Sequence, residues 1–369
     1  MAEPFKEAIS RAFVRELARA VAKAEPGFDP DGFVAGVCLS GFEELGLMDR
    51  VSRVAAALGE HLPGGFRKAL KSLLKVHKGF GGLGGFVFSR FVALHGLAPG
   101  HFDASMDALA RFTCGSSSEF GVRPFIRLDP ERALGHIRKW ALSPDPEVRR
   151  LASEGSRPRL PWGGNIAAFT SDPAPVLALV ESLLGDPSQY VRTSLGNSLN
   201  DVSKDHPDLF LEFAGRFMGK AAETDRILRR GARTLIKRKN PGAMALFGYA
   251  AAPAKRASML KRATLSISPK TLKIGGSAEL SYGIALAGGF GGKVRLEYLI
   301  GYPVEPGRSP RSKLFFLKES DMEKGGSAEG VRRVAFKDLS VRRQVPGLHS
   351  IELMANGVSA ARTEITVRR

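Results

Sequence analysis

The feature that most restricts the fold of this chain is a sequence that returns to itself. Residues 143–155 (SPDPEVRRLASEG) align with 186–198 (DPSQYVRTSLGNS), and more loosely with 227–237 (ILRRGARTLIK). Val148, Val191 and Leu228 superpose, at spacings of 43 and 37 residues. Two-helix repeats of the HEAT class have periods of roughly 40–47 residues. Such units bury apolar faces against their neighbours and set equivalent faces side by side on one concave surface. In each copy the apolar residues hold one helical face: Val148, Leu151 and Ala152, then Val191, Leu195 and Leu199, then Leu228, Ala232, Leu235 and Ile236. The opposite face carries Arg150 and Glu154, then Asn197 and Asn200, then Arg230, Arg233 and Lys237.

The first copy extends into a distinctive exit. Asp145 is placed to cap a helix whose first residue is Pro146. Arg150 lies about 200° round from Val148, at roughly 100° per residue, so it points away from the core face. Glu154 follows one turn later, within pairing reach. The helix is expected to stop at Gly155, and a loop with Arg157, Arg159 and two prolines delivers Trp162. Two readings stay open on these residues alone. One is a salt-bridged solvent face followed by a turn; the other is a carboxylate, a guanidinium and an indole gathered as a site.

Residues 114–126 (CGSSSEFGVRPFI) pose a similar choice. Ser116 and Glu119 have the spacing of a capping box, which would make Glu119 a helix closure. Alternatively Glu119 is an acid held at a helix entrance beside an aromatic, Phe120. No GxSxG elbow surrounds these serines, so a serine nucleophile is not indicated. Residues 79–85 (GFGGLGG) match GxGxxG by letter, yet no strand of branched apolar residues precedes them. They read as a flexible connector between helices.

Charge narrows the partner. The chain has 55 Lys and Arg against 37 Asp and Glu, a formal net charge of +18. Such an excess points to a polyanion, nucleic acid before an anionic membrane. No apolar run approaches the ~20 residues that span a bilayer. From Arg226 to Ala278 there is no acidic residue, a stretch that fits phosphate contacts. Cys38 and Cys114 form no CxxC pattern, so neither a disulfide framework nor a metal knuckle is implied. No signal-peptide core opens the chain, which reads as cytoplasmic. Phe5, Ile9, Phe13, Leu17 and Val21 mark a first amphipathic helix, and Val51, Val54, Ala55 and Leu58 another.

Near residue 263 the period changes from helical to alternating. Leu280, Tyr282 and Ile284, then Val294, Leu296, Tyr298 and Ile300, then Ile351 and Leu353, then Thr363, Ile365 and Val367 read as strands of a β-sandwich. Residues 346–357 (PGLHSIELMANG) look like a late hairpin of an immunoglobulin-like domain. The expected architecture is an all-α HEAT-like repeat solenoid over residues 1–262, followed by an all-β immunoglobulin-like sandwich over 263–369.

Three stretches together carry a family resemblance: SSEFGVRPFI, VRRLASEGSRPRLPW and DPSQYVRTSLGNSLNDVSKDHPD. They resemble the bacterial DNA alkylation repair proteins, in particular the AlkC subgroup of the HEAT-like (AlkD-like) DNA glycosylases. The resemblance is dense from about Phe112 to Lys239, and one branch of that subgroup carries a C-terminal immunoglobulin-like domain. It implies a monofunctional glycosylase that removes cationic alkylated bases from DNA without drawing them into a pocket. 3-Methyladenine is the typical substrate, with 3-methylcytosine and 1-methyladenine as further ones. Residue by residue, Glu119 and Asp201 match carboxylates near the scissile nucleotide, and Trp162 matches an aromatic against its sugar and backbone. Arg150 and Glu154 match supporting polar groups, and Phe120 belongs to the same wall. Arg157, Arg159, Arg192, Arg230, Arg233 and Lys237 are the expected DNA-binding cations. Double-stranded DNA is the expected partner of a monomer that needs no cofactor and no metal.

Overall fold

The computed structural model describes residues 5–250, 259–303, 311–338 and 343–369. The chain forms two compact units, Met1–Arg233 and Thr234–Arg369. Among the described residues, the first is helical apart from turns and one short hairpin. Its helices are α1 (Arg11–Ala24), α2 (Pro30–Val37), α3 (Leu47–His61), α4 (Gly65–Val76), α5 (Phe86–His95), α6 (Phe102–Phe112), α7 (Arg123–Leu128), α8 (Pro130–Ala141), α9 (Pro146–Gly155), α10 (Ala167–Ser171), α11 (Ala174–Leu183), α12 (Gln189–Asp205), α13 (Pro207–Phe217) and α14 (Ala222–Gly231). Strands β1 (Arg159–Leu160) and β2 (Gly164–Asn165) form the hairpin between α9 and α10.

An Asp–Pro pair opens α2, α8 and α9. In each, the aspartate carboxylate accepts backbone N–H groups of the first turn while proline occupies the first helical position. The expected single helix over residues 5–21 is instead a short 3₁₀ turn at Phe5–Ile9 followed by α1. Ser10 interrupts it by capping the N–H of Phe13, and Phe5 is left exposed. The second expected helix is α3, with Val51, Val54, Ala55 and Leu58 all buried.

The repeat is visible as stacked helix pairs. α8 packs on α9, α11 on α12 and α13 on α14, while α12 also lies against both α9 and α14. The residues that align in sequence share a device. Arg149 donates to the carbonyls of Ser143 and Pro144 at 2.9 and 3.0 Å. Arg192, its counterpart one repeat on, donates to those of Asp186 and Pro187, both at 2.7 Å. Arg149 also crosses to the Asp186 carboxylate at 2.6 Å, which ties the first copy to the second. Ser153 and Ser194 hydroxyls meet at 2.7 Å between α9 and α12. Leu151, Leu195 and Leu228 have no exposed surface. Burying side chains of that size stabilises by about 1.5–3 kcal/mol each, so Leu195→Ala would loosen the stack by about 2–5 kcal/mol. The third copy is shorter than its sequence suggests. α14 ends at Gly231, where a Cβ would come within 2.6 Å of the Leu199 Cβ, and a separate helix, α15 (Arg233–Lys237), begins two residues later.

The second unit holds α16 (Pro241–Leu246) and a two-sheet β-sandwich. Its strands are β3 (Leu260–Ser268), β4 (Thr271–Lys273), β5 (Ser277–Leu286), β6 (Gly292–Gly301), β7 (Ser312–Met322), β8 (Ser327–Ala335), β9 (Gly347–Ala355) and β10 (Val358–Arg368). One sheet has the order β4-β10-β9-β6-β7, the other β3-β5-β8, and every pair is antiparallel except β4 with β10. Ile267, Leu280 and Val334 of the smaller sheet pack with Tyr298, Ile300, Ile351 and Ile365 of the larger. The stretch 346–357 supplies β9 and its turn rather than a whole hairpin. Asn356 and Gly357 both have positive φ, 45° and 83°, as the tight two-residue turn into β10 requires. Part of the acid-free stretch, residues 251–258, lies outside the described residues.

Candidate functional site

Six charged side chains run in alternating sign from the loop before α7 to α12. Glu119 pairs with Arg150; Arg150 approaches Glu154 at 3.9 Å; Glu154 pairs with Arg157 at 2.6 Å; Arg157 pairs with Asp201 at 2.8 Å. Lys204 completes the run, 3.1 Å from the other oxygen of Asp201. The helical period explains the middle of it. Arg150 and Glu154 stand one turn apart on α9, and Arg157 emerges just past its end. Asp201 comes from the fourth turn of α12, which packs alongside.

Glu119 is not a helix cap. It sits in a turn four residues before α7, and its carboxylate accepts from Ser117 Oγ at 2.5 Å and from Arg150. Ser116, the other half of the expected capping box, donates instead to the Gly82 carbonyl at 2.7 Å. The glycine-rich stretch before α5 is therefore a packed support rather than a free connector. Gly82 N–H donates to the Gly115 carbonyl at 2.7 Å, and a Cβ on Gly85 would come within 2.3 Å of Ser116 Oγ. No strand precedes it among the described residues, so nothing remains of a dinucleotide loop. Phe120 is partly buried and meets Phe86 edge to face at 5.6 Å.

Trp162 is the most exposed aromatic in this region, at 75%. It stands at the tip of the β1–β2 hairpin with φ 63°. Pro161 precedes it, and Gly163 N–H donates to the Leu160 carbonyl at 3.1 Å. Proline second and a positive φ third are the marks of a type II turn, a place where glycine is usual. A tryptophan there is a strained residue at an exposed tip, the kind of outlier that points to a role outside folding.

Several expected positions are occupied differently. Asp201 has no exposed surface, because Arg157 and Lys204 cover its two oxygens. Arg157 is buried between Glu154 and Asp201 rather than open to phosphates. Burial lowers its proton affinity, but its bonds to the two acids outweigh this and leave its pKa raised. Arg192 is turned to its own loop carbonyls and Gln189. Arg159 forms a two-point pair with Asp205 at 2.7 and 2.8 Å, although it remains partly exposed. Arg230 contacts Asn197 at 3.0 Å, Arg233 the Gly196 carbonyl at 3.2 Å, and Lys237 is exposed.

Three residues of the site escape the sequence reading. Ser117 donates to Glu119 and accepts from Arg150 at 2.9 Å. Tyr190, half exposed at the start of α12, places its ring 4.9 Å from the Arg150 guanidinium, a cation–π contact. Arg123 is buried beneath the Trp162 hairpin. Tyr190 alone left a signal: an aromatic at the alignment position just before Val191, where the first copy has Glu147.

The class follows from the comparisons. Residues 112–236 match the family described as DNA alkylation repair enzyme, and residues 261–369 match the C-terminal Ig-like domain of the uncharacterised protein YhaZ. The chain belongs to the DNA alkylation repair enzyme family. It is 38% identical to the uncharacterized protein YhaZ of Bacillus subtilis (strain 168) over 352 residues, 95% of this chain and 96% of that one. It is also similar in structure to the Pseudomonas fluorescens alkylpurine DNA glycosylase AlkC bound to DNA containing an abasic site analog. That match has a TM-score of 0.90 and 30% identity, and it covers 100% of both chains. No helix among the described residues is long and apolar enough to cross a membrane.

Proposed function

We propose that this protein is a monofunctional DNA glycosylase that hydrolyses the N-glycosidic bond of cationic alkylated bases in double-stranded DNA. 3-Methyladenine is the first candidate substrate, with 3-methylcytosine and 1-methyladenine next. The observation that carries the reading is the alternating chain from Glu119 to Asp201, set in a strongly basic protein and continuing into the hairpin that raises Trp162. The likeness to an alkylpurine DNA glycosylase solved on DNA adds independent support.

A base methylated on a ring nitrogen is already cationic and a good leaving group, so no protonating acid is required. Positive charge moves to the sugar as the bond breaks. Preorganised anions stabilise it, an effect of about 2.7–4 kcal/mol for a single well-placed group. Glu119 keeps some surface and is oriented by Ser117 and Arg150, which suits it to hold the attacking water and take its proton. Asp201 acts when Lys204, one-third exposed, leaves it for a phosphate and frees one carboxylate oxygen. The Lys204 ammonium has an anionic partner in either state, Asp201 or a phosphate, which keeps it protonated and argues against a Schiff base and so against lyase chemistry. An indole standing out on a hairpin, rather than lining a cavity, suits a lesion that stays in the duplex. Arg230, Arg233, Arg159 and Lys237 are the cations left to hold phosphates.

The test is release of free base from a panel of methylated duplexes, read by chromatography. Release of 3-methyladenine that disappears in Glu119→Gln and Asp201→Asn supports the proposal. Tight, salt-sensitive DNA binding with no release above background would reduce the protein to a DNA-binding repeat scaffold.

A further inference from the structure

Arg123 has no place in the chemistry above, yet it is among the most completely buried charges of the helical unit, 1% exposed at the start of α7. Its guanidinium makes four hydrogen bonds, all to backbone carbonyls. Nε donates to Gly163 at 3.1 Å, Nη1 to Gly155 at 3.1 Å and Arg157 at 2.8 Å, and Nη2 to Gly164 at 2.6 Å. Those acceptors lie in two places. Gly155 and Arg157 are the exit of α9, including the residue whose side chain bridges Glu154 and Asp201. Gly163 and Gly164 are the two residues after Trp162. One turn later on α7, Arg127 adds bonds to Gly163 at 2.8 Å and Asn165 at 3.2 Å.

The glycines fit this clamp. A Cβ on Gly163 would lie 3.0 Å from the Arg123 Cδ and 2.9 Å from Leu160, and one on Gly155 would lie 2.6 Å from Val122. Burial holds the Arg123 pKa down, to about 10, which still leaves it charged near neutrality. A buried cation served only by carbonyls is an expensive way to hold a loop, and a lysine could not reach four acceptors in one plane.

We infer that Arg123 is a positioning residue that locks the exit of α9 and the Trp162 hairpin into one rigid piece, so that the indole and Arg157 keep a fixed relation on DNA. The inference rests on the glycosylase reading for its effect on rate, but not for its effect on the hairpin.

The chain has two tryptophans, and Trp140 is buried, so 5-fluorotryptophan labelling gives two ¹⁹F resonances that Trp162→Phe assigns. In Arg123→Lys the Trp162 line should move toward the free-indole position while the Trp140 line stays. On 3-methyladenine DNA, kcat should fall by about tenfold to a hundredfold with KM little changed, since small misplacements cost that much. Arg127→Gln, at an exposed position, keeps the test open should Arg123→Lys fold poorly, and should shift the same line by less. An unmoved Trp162 line in both variants, with activity and Tm falling in parallel, would overturn the inference and make Arg123 an ordinary core residue. A wild-type protein without base release would defeat the glycosylase reading, while the ¹⁹F lines would still decide the clamp.

Discussion

Replacing Trp162 with glycine should make the protein more stable and much less active. At φ 63° an L-residue carries a left-handed penalty of about 1–2 kcal/mol, which glycine does not. Glycine offsets part of that gain by about 0.5–1 kcal/mol, through the extra freedom of the unfolded chain. With three-quarters of the indole in water, little packing is lost. The net expectation is a gain of about 0.5–1 kcal/mol, or a rise in Tm of about 1–4 °C for a unit of this size. Trp162→Ala keeps the strained backbone and should not rise, so the gap between the two variants isolates the strain. Activity should move the other way in both, because a stacked aromatic contributes about 1–3 kcal/mol per nucleotide contact. Base release would fall by roughly fivefold to 150-fold, since 1.4 kcal/mol is a factor of ten. The measurements are calorimetric Tm and single-turnover release from 3-methyladenine duplexes. A glycine variant that is less stable than wild type, or one that excises at the wild-type rate, would refute the reasoning.

Three further outcomes follow from individual residues. Asp201→Asn should lower single-turnover excision by about 10²–10³-fold, in line with loss of one electrostatic stabiliser, while DNA affinity stays or improves as a negative charge is removed; a matched loss of affinity would count against it. Cys114 lies on the surface, yet burial of its sulfur and then the Asp145 carboxylate raise its pKa to about 11. Its alkylation by iodoacetamide should be slow at pH 8 and accelerate up to about pH 11, and the rate of an ordinary thiol at pH 8 would contradict this. Asp103 is held down to about 2 by hydrogen bonds from Arg132 and then His136. Its contribution is present above the unfolded value of 3.8 and is lost as pH falls through 2, so Asp103→Asn should flatten the decline of Tm between about pH 4 and 2.

How far the sequence could be read depended on the range of each interaction. The repeat was legible because Val148, Val191 and Leu228 recur with their flanking arginines, and the sandwich because strands such as β5 alternate cleanly, while β6 breaks the pattern at Glu297. Asp145 and Pro146 announced α9 because a cap is decided within three residues. Glu119 misled for the same reason. Its capping-box spacing is local, but its true partner, Arg150, lies 31 residues away on α9. Arg123 could not be found at all, since its four acceptors are carbonyls, which every residue has. The strain at Trp162 was equally silent, because it lies in the backbone and not in the side chain.

The same distinction changes what the basic composition means. The excess of +18 suggested a surface given over to phosphates. Part of it is engaged by the protein itself instead. Arg50 is buried on the carbonyls of Lys6, Ile9 and Glu43, Arg123 on those of the hairpin and the α9 exit, and Arg149 and Arg192 on the loops that open their own helices. Arg150 and Arg157 are taken up by acids. On the proposed glycosylase reading, this resolves an apparent conflict in the site. Carboxylates meant to stabilise a cationic sugar would repel the DNA that brings it, unless their charge were masked during approach. With Lys204 counted, the chain from Glu119 holds three acids and three cations, so an approaching duplex meets no net negative charge there. A paired acid and base partly cancel at long range, so under that reading a carboxylate acts on the sugar only where the sugar comes closer to it than to its cation. An arrangement of this kind favours the transition state over the incoming strand, which is the condition for a binding interaction to become a catalytic one.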